Sequence, residues 1–94
     1  MYRFTGERGT GKTYKLFEEA NKVGGLIICR NPIAMRTKAK MLGFENIDFI
    51  GYSDTSFYYC QKPTFIDEIE NYLNYLTKNN LAGYTYTIIK DENN

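Results

Sequence analysis

The chain has 94 residues and a formal net charge of +1, which bounds it to one domain, since a domain this small buries only roughly 60–65% of its unfolded surface. The near-balanced charge argues against a protein whose main task is gripping nucleic acid through many phosphate contacts, while leaving room for a local basic patch. Histidine is absent, which removes the commonest general base and metal ligand; catalysis would rest on carboxylate, lysine, hydroxyl and a bound ion, a set that suits phosphoryl transfer.

Taken in chain order, residues 2–5 are apolar and β-branched and predict a first strand, and residues 12–22 place Leu16, Phe17 and Ala20 at helical spacing before Gly24 and Gly25 stop the helix. Residues 26–30 form an apolar run of strand length. Asn31 and Pro32 open a second helix with Ile33, Met35 and Leu42 as its apolar contacts, and Gly43 ends it. A third strand is predicted over 47–52, then a loop or short helix over 51–63 with Ser53 as a cap. Residues 64–67 predict a fourth strand; Ile69, Tyr72, Leu73 and Leu76 mark a third helix that frays through Asn79 and Asn80 before Gly83; residues 84–90 predict a fifth strand. The reading is a single α/β domain over 1–94, with a mainly parallel five-stranded sheet, three flanking helices and a disordered polar tail at 91–94.

No apolar run approaches a membrane span, and the chain enters its first expected strand almost at Met1, so no membrane partner and no signal peptide are expected, and a cytoplasmic location is. Cys29 and Cys60 lack paired spacing and are expected to be reduced, Cys29 within the core.

Between the first strand and first helix stands Gly6-Glu7-Arg8-Gly9-Thr10-Gly11-Lys12-Thr13, a complete GxxxxGK[ST] phosphate loop. Its glycines let successive backbone N–H groups turn inward toward a phosphate, and the new helix adds the positive end of its dipole. These eight residues and Tyr14 are the expected nucleotide-binding set, with Lys12 reaching the β- and γ-phosphates and the Thr13 hydroxyl facing Mg²⁺. A second signal is Phe65-Ile66-Asp67-Glu68, apolar residues ending in two acids where a strand meets the sheet's carboxyl edge. Asp67 fits the Mg²⁺ shell, and Glu68 is the candidate general base for the attacking water.

These two motifs, with Ile27-Ile28-Cys29-Arg30-Asn31 between them, resemble small P-loop proteins of bacteriophages and prophages, within the additional-strand, catalytic-glutamate division of P-loop NTPases that includes helicases, terminases and AAA ATPases. The resemblance covers nearly the whole chain. It implies the strand order 5-1-4-3-2, ATP and Mg²⁺ as cofactors, and an ATPase module acting on single-stranded DNA or with a larger DNA motor in the host cytoplasm. In helicase-like members the segment after the second strand touches single-stranded nucleic acid, which here implies Arg30, Asn31, Arg36, Lys38 and Lys40 as contacts. The chain departs from those motors in having no second domain to supply an arginine finger, so a homo-oligomer or hetero-complex is expected to supply one, and turnover alone is expected to be slow. Only five residues precede Gly6, so no adenine-reading segment is expected, and Asn21-Lys22-Val23-Gly24 lacks the acid of a guanine reader. Two alternatives stand beside an ATPase. One is a nucleotide-dependent or non-catalytic interaction or inhibitor module that presents its tyrosines; the other is a small-molecule kinase, disfavoured because residues 51–62 contain no arginine for a lid.

Overall fold

A run that is apolar at every position needs cover on both faces and neighbours on both edges. In the computed structural model, which describes residues 3–6 and 11–87, the run Leu26-Ile27-Ile28-Cys29 meets that requirement as β1 (Leu26–Cys29), fully buried at the centre of a three-stranded parallel sheet. On one side β2 (Asp48–Gly51) sets Phe49 opposite Ile27, and on the other β3 (Thr64–Ile66) sets Phe65 opposite the same residue.

This corrects the expected architecture in strand number and in order. Residues 3–6 and 84–87 take no regular secondary structure; Tyr2, residues 88–90 and the tail 91–94 lie outside the described residues. Within 3–6 only Phe4 packs on the core, too little apolar surface to anchor a strand. Tyr84 and Tyr86 are exposed, so the β-favouring Tyr-Thr alternation there has no face to bury, and strand propensity follows packing context. The order 5-1-4-3-2 would put residues 26–30 at an edge with the strands at 47–52 and 64–67 side by side. The structure instead inserts β1 between them, because β1 alone is apolar on both faces.

The helices start close to where the residues predict. α1 (Lys12–Val23) buries Leu16, Phe17 and Ala20, and it ends on Gly24 (φ 62), with the Gly25 N–H donating to the Ala20 carbonyl at 2.8 Å in a Schellman turn. Gly25 is required for a second reason: a Cβ there would lie 2.9 Å from the Phe65 ring and 3.0 Å from the Pro63 carbonyl oxygen. α2 (Pro32–Met41) has Pro32 in its first turn and the Asn31 side chain as cap, accepting from the Ala34 N–H at 3.1 Å. Met35 packs on the core as expected, but Ile33 and Leu42 are exposed. Ser53 does not cap a helix; the Asp54 carboxylate accepts from the Ser56 N–H at 2.8 Å and leads into a 3₁₀ turn (Ser56–Tyr59). α3 (Ile69–Leu76) buries Tyr72 and ends before Lys78 and Asn79, both at positive φ.

Ile27, Cys29 and Phe49 share one face of the sheet and pack with Leu16, Phe17, Ala20 and Ala39. Phe17 is fully buried, worth roughly 1.5–3 kcal/mol in transfer alone, and meets the Phe49 ring edge-on at 5.9 Å. No helix among the described residues is long and apolar enough to cross a membrane. Parallel strands all end on the same edge, so this packing gathers the residues after Cys29, Gly51 and Ile66 at one place.

Candidate nucleotide site

The phosphate-loop motif enters through Gly6 (φ 151) and leaves through Gly11 (φ 80), the left-handed residue directly before α1. Glycine takes that conformation without strain, which lets α1 begin abruptly at Lys12. The Lys12 ammonium donates to the Gly6 carbonyl at 3.2 Å. The Gly11 carbonyl accepts from the Lys15 N–H at 3.1 Å and starts the helical ladder. Thr13 is half-buried in the first turn of α1. Tyr14 is exposed, its ring edge-on at 5.3 Å to Phe44, which follows α2. Glu7, Arg8, Gly9 and Thr10, also assigned to the nucleotide, lie outside the described residues.

Asp67 follows β3 directly, and its backbone is held at both ends. Its N–H donates to the Ile28 carbonyl at 2.9 Å, and its carbonyl accepts from the Tyr52 hydroxyl at 3.3 Å. The carboxyl is half-buried and raised above the usual carboxylate range, first by burial and then by the Glu68 carboxylate, against the opposing positive charges of Lys38 and Lys12. Lys12 and Asp67, far apart in sequence, therefore act on one another at the carboxyl edge of the sheet. Glu68 is exposed, sits at φ 57 as the residue before α3, and accepts from the Tyr72 N–H at 3.1 Å through its carbonyl, leaving its carboxylate uninvolved in capping. A non-glycine residue at positive φ carries strain of about 1 kcal/mol or more, a feature concentrated at functional sites.

Three of the basic residues implied as nucleic-acid contacts act on groups at the carboxyl edge of the sheet. Arg36 acts on the Cys29 thiol, Arg30 on the Tyr52 hydroxyl and Lys38 on the Asp67 carboxyl, and those three groups also act on one another. The charges of Arg30, Arg36, Lys38 and Lys12 are thus each felt by a group at the edge where the strands end. Asn31 is engaged as the α2 cap, and Lys40 stands exposed in the last turn of α2. Tyr52 is the member of this site that the sequence motifs do not single out; the residues predict it as the end of the third expected strand. Its position one residue beyond an apolar strand was the available signal. Its ring lies against Tyr72 at 5.2 Å and Tyr75 at 5.8 Å, and its hydroxyl is pushed up by burial and by Asp67, which keeps it a donor.

Among the described residues no three His, Cys, Asp or Glu side chains are grouped as a closed metal cage. A Thr hydroxyl and one carboxylate are the donors that Mg²⁺ takes beside phosphate oxygens and water, and the incompletely compensated charge of Asp67 is one that a divalent cation would offset. Thr13 and Asp67 fit the ion in chemistry. Compared with protein-family models, curated proteins and solved structures, the chain matches none, so the resemblance to phage P-loop proteins stands on its motifs.

Proposed function

We propose that this chain binds a nucleoside triphosphate, ATP first among the candidates, and hydrolyses it slowly with Mg²⁺. The observation that carries this reading is the complete phosphate-loop motif leading directly into α1, its described glycines at positive φ, with Asp67 at the end of β3 within range of the Lys12 charge. A glycine turn capping a helix would need neither partner.

In this reading the loop N–H groups and the α1 dipole hold the phosphates, Lys12 moves from the Gly6 carbonyl to phosphate oxygens, and Arg30, Arg36 and Lys38 add to the positive field of the edge. Thr13 and Asp67 would hold Mg²⁺, which neutralises charge on the phosphate oxygens. Glu68 takes the proton of the attacking water, its carboxylate being exposed and free of capping duty. In the motors the chain resembles, a second domain or a neighbouring subunit supplies an arginine finger, so a partner or a second copy supplies one here for fast turnover. Single-stranded DNA and a larger DNA motor are the partners the resemblance suggests, and a phage-encoded protein would act in the host cytoplasm.

Phosphate release from ATP and Mg²⁺, measured with and without single-stranded DNA, tests the reading: slow release by the wild type, none by Lys12→Ala, and a fall of about 10²-fold or more in Glu68→Gln with binding intact. Glu68→Gln hydrolysing as fast as wild type would remove the catalytic assignment. A second reading, a non-catalytic interaction module, is favoured by the exposure of Tyr58 (71%), Tyr59 (90%) and Tyr86 (69%). Absence of hydrolysis under every condition would favour it.

A further inference from the structure

A cleft of about 670 Å³ lies between the start of α2, the residues that follow β2 and the α3 helix with the turn after it. That volume is in the range that holds small ligands, roughly 300 to 1,000 Å³. Its lining is unlike the phosphate edge. Asn71, Asn74 and Asn79 contribute three amides, Tyr52 and Tyr75 contribute two rings, and the charges of Arg30 and Asp54 balance.

Three amides with balanced charge suit a neutral ligand that both donates and accepts, and a half-exposed tyrosine ring offers a face for a planar one. The amides are pre-positioned. The Asn74 amide donates to the Asn79 side-chain oxygen at 3.2 Å, and the Asn79 N–H donates to the Asn74 carbonyl at 2.8 Å. Lys78 (φ 55) and Asn79 (φ 66) are both left-handed, and that pair of residues brings Asn79 back against α3. Tyr75 is 45% exposed while its ring leans on Tyr52, which leaves part of its surface open beside those amides. A polyanion would find a single cation here; a nucleobase would find an aromatic face and amides for its polar edge.

We propose that this cleft binds the base of a free nucleoside, as a second ligand site separate from the phosphate loop. The site shares two side chains with the loop's neighbourhood: Arg30, and Tyr52, whose hydroxyl holds the Asp67 carbonyl and whose ring lines the cleft. The proposal stands whether or not the loop binds ATP.

The test is a titration of the full ¹⁵N-labelled chain with adenosine, guanosine, cytidine and thymidine, which carry no phosphate, followed by amide resonances. At least one nucleoside is expected to shift the side-chain amides of Asn71, Asn74 and Asn79 saturably, equally well in Lys12→Ala. Asn74→Asp, which keeps the shape and removes the amide donor, and Tyr75→Ala should each weaken that binding at least tenfold without changing ATP affinity. Three results would overturn the proposal: no saturable shift of those amides by any nucleoside, undiminished binding in both variants, or loss of nucleoside binding in Lys12→Ala, which would assign it to the loop. A short oligonucleotide titrated in parallel separates the sources of the base; shifts with it and with no nucleoside would also overturn the assignment.

Discussion

The Tyr52 hydroxyl donates to the backbone carbonyl of Asp67 at 3.3 Å, tying the residue after β2 to the residue after β3 across the end of the central strand. Tyr52→Phe keeps the ring on Tyr72 and Tyr75 and removes only that bond. It should cost about 1 kcal/mol, read as a lower urea midpoint with an unchanged slope.

Asp67 has its pKa raised in the folded protein, so its contribution to stability is fully present below the ordinary carboxylate range and is lost as pH rises through the raised value. At neutral pH its ionised form is a net cost to the fold without a cation. Asp67→Asn should therefore be more stable than wild type at pH 7 and indistinguishable from it near pH 3, as measured by urea unfolding at both. The same variant should bind ATP with Mg²⁺ at least tenfold more weakly.

Glu68 sits at φ 57, a conformation glycine adopts freely. Glu68→Gly should match or exceed wild-type stability by up to about 1 kcal/mol while losing hydrolysis, the trade expected where a strained residue is kept for chemistry. Thermal unfolding and phosphate release on the same sample check both halves.

Gly25→Ala should destabilise by about 1–3 kcal/mol, because the added methyl meets the Phe65 ring and the Pro63 carbonyl, and backbone cannot yield as a flexible side chain can. A thermal shift of several degrees downward is the readout.

The two cysteines should differ in reactivity. Burial pushes the Cys29 thiol up to about 11, whereas Cys60 is half-exposed at the start of the loop leading to β3. A thiol reagent at pH 8 should label Cys60 alone in the native protein and both after denaturation.

What the sequence made legible followed from local rules. Gly11 and Gly24 bracket α1, Asn31 and Pro32 open α2, and the run at 26–29 becomes a strand, because caps and continuous apolar runs act within a few residues. Of the expected site, the charge of Lys12 at the head of α1 acts on the Asp67 carboxyl after β3. Strand order was not local. It came from a family resemblance, while the physical clue, that only 26–29 is apolar at every position, pointed to the central place the structure gives it. The strands expected at 2–5 and 84–90 rested on propensity, and their described residues, 3–5 and 84–87, take no regular structure. Tyr52 is not legible in the sequence because a tyrosine's role as donor to a distant backbone carbonyl leaves no spacing pattern to read.

The central claim is that the loop around Lys12 holds a triphosphate, and equilibrium binding of ATP with Mg²⁺ to wild type and Lys12→Ala tests it most directly. The account predicts saturable one-to-one binding by wild type, weakened at least 100-fold in a Lys12→Ala variant that keeps its fold. Equal binding by the two proteins, or none by wild type at millimolar ATP, would contradict it.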